Sequence, residues 1–293
     1  MPALRRSGVV ESCESGGCMT THIAVVPYQI SIESGLLTRV AAALQRQVRE
    51  HFGPLWKIDA TVSPFAGWED VPPEYARLIL VDHLDSGSLG VHADRDGQPY
   101  ALVAARGDWP IVASHECLEM LADPTGKQTR RGPSPKDGSA AEFLVEVCDP
   151  CQGSRWSYKI DGVPVSDFCT PSFYDGTGAS GERWSYGGHI TGPRQILKDG
   201  YMSWHDPVGQ QWWRRDWLGR QVTDYSLGPI PPSVSCLRGG MDRIGRRERG
   251  HLRGRGARFA VKPGRAARAK ARALTAELEA LLAPPRPRKR GRR

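Results

Sequence analysis

The stretch Asp108–Asp123, DWPIVASHECLEMLAD, decides how this chain is read. Asp108 can cap the first amides, Pro110 suits a first helical turn, and Pro124 ends the run. Between them Ile111, Val112, Leu118 and Leu121 recur at helical spacing, so the segment is expected to be a helix. Residues four apart share a helix face, which sets His115 and Glu119 one turn apart. An imidazole nitrogen and a carboxylate oxygen so placed can bind one metal ion. Glu116, rotated by one step, would reach a metal-bound water rather than the metal, where a general base for metal-assisted hydrolysis belongs.

Upstream, the β-branched run Thr21–Ile30 reads as a strand and Ser31–Gly35 as a turn. Leu36–Phe52, with Leu37, Val40, Leu44 and Val48 on one face, reads as an amphipathic helix. Trp56–Val62 and Ala76–His83 are expected strands, separated by the Phe65–Pro73 loop. Ser88–Ala93 and Pro99–Ala105 flank Asp96-Gly97, a hairpin signal. Downstream, Thr125–Ser139 is a polar loop, and Ala140–Asp149 is short and either helical or extended. Beyond Trp156 the pattern is β-like, with a tight turn at Ile160–Val163 and aromatic, Gly-punctuated pieces to about Pro232. Residues 1–20 show no periodicity and stand outside the fold as a disordered segment, with Met19 as an alternative start.

His115-Glu116-Cys117-Leu118-Glu119 resembles the H-E-x-x-H hallmark of the zincin metallopeptidases, with glutamate in place of the second histidine. A β-α-β-β-β framework leading into that helix is also how the upper half of zincin domains is built. The resemblance covers about Thr21–Asp149 and lies nearest the glutamate-ligand branch, the gluzincins. It implies an α+β, zincin-like domain over residues 21–235. A mixed β-sheet with a backing helix and a metal-site helix would occupy 21–123, and a β-rich lower part 140–235. It further implies a third ligand from a later acidic residue, either Glu146 or Asp149 in FLVEVCD. The cofactor would be zinc, with manganese or iron open to a shell this rich in carboxylate. The activity would be peptide hydrolysis with Glu116 as general base, and Tyr158, Tyr174, Tyr186, His189, Tyr201 and His205 are available to stabilise an oxyanion. Glutamate at position 119 equally fits a catalytically degenerate relative with a structural or interaction role.

Cys148-Asp-Pro-Cys151 with Cys169 is the alternative metal set, half of a structural zinc site that His115, His189 or His205 would complete. Cys117 reads as packing, and Trp204, Trp212, Trp213 and Trp217 as β-core. The net charge of +8 is unevenly spread: residues 237–293 hold 19 of the 40 Lys and Arg but four of the 32 acidic residues. Nucleic acid or an acidic partner is therefore a question for this basic Arg/Gly/Ala/Pro-rich tail (236–293), expected to be disordered apart from a conditional helix over Ala266–Leu282. In that helix Leu274, Leu278, Leu281 and Leu282 fall on one side. No apolar run approaches the ~20 residues of a membrane span, and no signal-like core follows the N-terminal arginines, so a cytoplasmic protein with reduced thiols is expected.

Overall fold

The computed structural model describes residues 20–84, 88–176, 181–218, 220–230, 237–238, 240–241, 244–245 and 265–282. The N-terminal segment lies outside them except for Thr20, whose hydroxyl donates to Asp59. The fold is α+β, built on two five-stranded sheets.

The first sheet contains β1 (Thr21–Pro27), β2 (Ala60–Pro64), β3 (Ala76–Val81), β4 (Gly90–Arg95) and β5 (Gln98–Ala104), in the order β2-β1-β3-β5-β4. All neighbours are parallel except β4, which runs antiparallel to β5. The β4–β5 turn has Asp96 and Gly97 at φ 54° and 85°, the two positive values of a type I′ hairpin. β1 and β3 are near-continuous apolar runs, as expected of strands buried on both faces. Ile23, Val25, Leu78 and Leu80 face α1 (Ser34–Arg46) and α3 (Trp109–Ala122). Ala24, Val26, Ile79 and Val81 face the opposite way, onto α5 (Arg265–Leu282).

That second contact carries buried packing beyond residue 235, into the segment read as a tail. The basic charge of the tail points to solvent, yet Leu274, Leu278 and Leu282 recur every four residues and are buried on the sheet. Leu281, placed with them in the sequence reading, is exposed because it lies one step off that stripe. Glu277 completes the docking by accepting from Tyr28 and Gln29.

The second sheet, order β12-β11-β10-β7-β6, is antiparallel. It comprises β6 (Thr129–Pro133), β7 (Ala140–Leu144), β10 (Tyr201–Asp206), β11 (Gln211–Leu218) and β12 (Gln221–Gly228). β8 (Tyr158–Ile160) and β9 (Val163–Val165) form a separate hairpin around Asp161-Gly162, the expected tight turn, and the short helix α4 (Pro171–Asp175) follows it. Three local expectations are corrected. The polar loop expected over Thr125–Ser139 contains β6, which pairs with β7, while Ala140–Asp149 takes the extended one of its two readings and ends in a 3-10 turn at Asp149–Cys151. The strand placed at Trp56–Val62 starts at Ala60, because Gly53–Trp56 is the short helix α2, closed by Lys57 at φ 56°. Asp108 makes no side-chain cap bond; its ψ of 39° is not the extended conformation that aims a cap inward.

Candidate metal centre

α3 is fixed before the residues of interest begin. α1 continues as a π-helical turn over Gln47–Phe52, which puts the Gln47 amide into the core. Ser114, the residue before His115, donates to Gln47 Oε1 at 2.6 Å and accepts from Ser166 N at 2.9 Å. At the other end the buried Asp123 carboxylate accepts from Lys127 N and Gln128 N, turning the chain toward β6 and β7. α3 is thus held at its middle by buried hydrogen bonds and at its C-terminal end by half-buried ones, and breaking the buried pair would leave costly orphans.

Between them, one helix face carries the chemistry. His115 Nε2 lies 3.2 Å from Glu119 Oε1 and 3.2 Å from Asp149 Oδ1. Glu119 Oε1 also accepts from Cys148 N. Glu119, Glu146 and Asp149 are buried, and His115 is nearly so. Two compact sets of possible metal donors result, each with ligand atoms within 4.8 Å of one another: His115, Glu119 and Cys148; and His92, Glu119 and Glu146. Glu119 belongs to both.

The structure therefore brings the expected residues together but divides them differently. His115 and Glu119 are adjacent, and Asp149 touches His115. Glu146, just past the end of β7, is grouped with His92 of β4 rather than with His115. The cysteine alternative also separates. Cys148 faces His115 and Glu119, while Cys151 and Cys169 pack with Phe143, Phe173 and Trp204 in another core, so the three thiols do not share a donor set. Burial pushes the Cys148 thiol well up and that of Cys117 up to about 12, which keeps both protonated in the absence of a cation.

Two residues escaped the sequence reading. His92, on β4, is fully buried between Glu116 Oε2 (3.6 Å) and Glu119 Oε2 (3.5 Å). Arg238, from the segment assigned to the tail, inserts its guanidinium among Glu116, Glu119 and Glu146 at 3.2, 3.0 and 2.9 Å.

Electrostatics follow from this packing. Burial disfavours the charged form of every group, but the neighbours decide. For His115 burial is outweighed by Glu119 and Asp149, which hold it well above the ordinary histidine value. For Glu119 burial is outweighed by His115 and Arg238, which hold it well below the carboxylate range. Arg238 likewise lowers Glu116 against the effect of burial. Glu146 is pushed well up by burial, with the charges of Glu119 and Asp149 adding to it against Arg238.

The centre opens on a cleft of about 440 Å³ lined by Leu89, Gly90, His115, Glu116, Asp149 and Tyr201. Gly90 is required by close approach: a Cβ there would stand 2.4 Å from Glu116 Oε1. Tyr201 is backed by Arg214, whose guanidinium lies 3.7 Å from the ring centre. Of the other aromatic candidates, Tyr174 is buried in the second core. A larger hollow of about 540 Å³ around Arg194, Arg215 and Asp224 has no donor set of this kind among the described residues.

No family model, no curated protein and no solved structure matches this chain.

Proposed function

We propose that the chain is a metal-dependent hydrolase, zincin-like in design, acting on a peptide bond. The observation that carries this is the placement of His115 Nε2 at 3.2 Å from both Glu119 Oε1 and Asp149 Oδ1, with Glu116 beside them at the floor of the cleft. One ring proton cannot serve two carboxylates fully, and Asp149 Oδ2 and Glu119 Oε2 are buried without an aligned hydrogen bond. Such a set fits a divalent cation, with His115 and Glu119 as ligands and Asp149 or Cys148 completing the shell. Zinc suits the imidazole and thiol donors best, and manganese or iron the carboxylates.

A cation held there would supply Lewis acidity to water and to a substrate carbonyl. The protein's part is positional. Glu116, held low in pKa, is ionised at neutral pH and ready to take a proton from the attacking water and return it to the leaving amine. Tyr201 lines the same cleft and is available there to stabilise an oxyanion. β1, α1, the short α2 and then the four strands β2–β5 precede α3, so a helix-bearing sheet leads into the donor helix, as the zincin-like reading expects.

Glu116→Gln tests the function. The expected result is a loss of peptide hydrolysis by roughly 10²–10⁴-fold with the metal content of the wild type. Equal activity in the variant would remove Glu116 from the mechanism.

A second reading rests on Arg238, whose ion pairs to Glu116 and Glu119 neutralise the carboxylates needed for hydrolysis. In it the cluster is a buried structural network and the protein a degenerate relative. It predicts no metal-dependent hydrolysis in wild type or variant.

A further inference from the structure

The two oxygens of Glu119 serve two different imidazoles. Oε1 faces His115 at 3.2 Å and Oε2 faces His92 at 3.5 Å. On the Oε2 side the position between His92, Glu119 and Glu146 is filled by a cation, the Arg238 guanidinium. Its contacts are Glu119 Oε2 at 3.0 Å, Glu146 Oε2 at 2.9 Å, Glu116 Oε2 at 3.2 Å and His92 Nδ1 at 2.5 Å.

The guanidinium matches this position in charge and mismatches it in direction. Glu119 Oε2, both oxygens of Glu146 and Arg238 Nε are buried and have no aligned hydrogen bond, although ion-pair distances are short. A planar fork needs its N–H bonds aimed at its acceptors, whereas a metal ion imposes no such orientation. The contact with His92 also occupies the Nδ1 lone pair, the one a metal would take.

Charge balance points the same way. Glu116, Glu119, Glu146 and Asp149 form a buried group of four carboxylates. Fully ionised, as two bound dications would hold them, these four carboxylates match two dications, whereas one dication with one guanidinium falls one charge short. Arg238 belongs to neither sheet, so withdrawing its side chain breaks ion pairs without opening a strand.

We propose that His92, Glu119 and Glu146 form a second divalent-cation site, that Glu119 bridges the two ions, and that the Arg238 guanidinium holds the second position when the ion is absent. One imidazole and two carboxylates make a hard shell, suited to manganese or iron(II). The inference rests on the proposed function for the first ion, at His115.

The test uses the full chain equilibrated with Mn²⁺, with bound metal counted by elemental analysis and the spectrum read by electron paramagnetic resonance. Arg238→Gln is expected to hold about two ions per chain with a spin-coupled signal, the second bound roughly tenfold tighter than in wild type. Adding His92→Ala should return it to about one ion with an uncoupled signal. A single uncoupled ion in Arg238→Gln, lost with His115→Ala, overturns the second site and leaves the first standing. No ion in wild type or Arg238→Gln overturns both. Should Arg238→Gln not fold, wild type titrated with excess Mn²⁺ gives the same decision: a coupled signal supports the bridged pair, and an uncoupled signal throughout the titration overturns it.

Discussion

The two sheets solve the burial problem in opposite ways. In the first, helices cover both faces, and strands such as ARLILV are apolar at nearly every position. In the second, QWWRRDWL alternates, with Trp212, Arg214 and Asp216 turned inward and their neighbours only partly covered. The first is a packed platform. The second places charge in its interior, and the donor cluster lies where the chain leaving β7 meets α3 and β4 of the first. Rigidity comes from one sheet, and part of the chemistry from the margin of the other.

This contrast can be broken most severely in the second sheet. Trp204 is almost fully buried and packs near Phe143 and Trp213. Trp204→Ala should cost about 3–5 kcal/mol of unfolding free energy in denaturant titration. A loss below about 1 kcal/mol would mean that this sheet has no tight core.

The outer face of the first sheet is the next test. Leu278→Ala on α5 should cost about 2–4 kcal/mol, while the exposed Leu281→Ala should stay within about 0.5 kcal/mol. Equal, small effects would show that α5 does not cover the sheet in solution.

Gly90→Ala sharpens the junction itself. Its Cβ meets Glu116 Oε1 and Cγ at 2.4 and 2.7 Å, so the carboxylate must move. The expected stability cost is about 1–3 kcal/mol, with hydrolysis reduced more than metal content because Glu116 moves and His115 does not. Wild-type kinetics in this variant would place the base elsewhere.

The same contrast explains what the sequence could show. β1, α1, β3 and α3 were legible because a strand covered on both sides, or a helix with a repeating apolar face, writes its burial into consecutive residues. β10–β12 were visible only as a β-like stretch, since Arg214 at an inward position breaks the hydrophobic alternation that marks strand faces. In the centre, His115, Glu116 and Glu119 carry a local pattern on one helix, and the acidic residues of FLVEVCD stand close in sequence. His92 has no such signal. It enters through the register of the β4–β5 hairpin, opposite Ala101, inside the polar-looking strand GVHADR. Arg238 is one arginine among many in a basic run, and only the fold distinguishes it. The buried stripe of α5 was hidden by the same excess of charge.

Whether His115 and Glu119 hold a divalent cation is decided by metal content. The full chain and its His115→Ala variant would be exchanged into metal-free buffer, supplied with limiting Zn²⁺ and analysed after removal of free ion. About one zinc ion per wild-type chain should be retained, and essentially none in His115→Ala. No retained zinc in the wild type, or equal zinc in both, would contradict it.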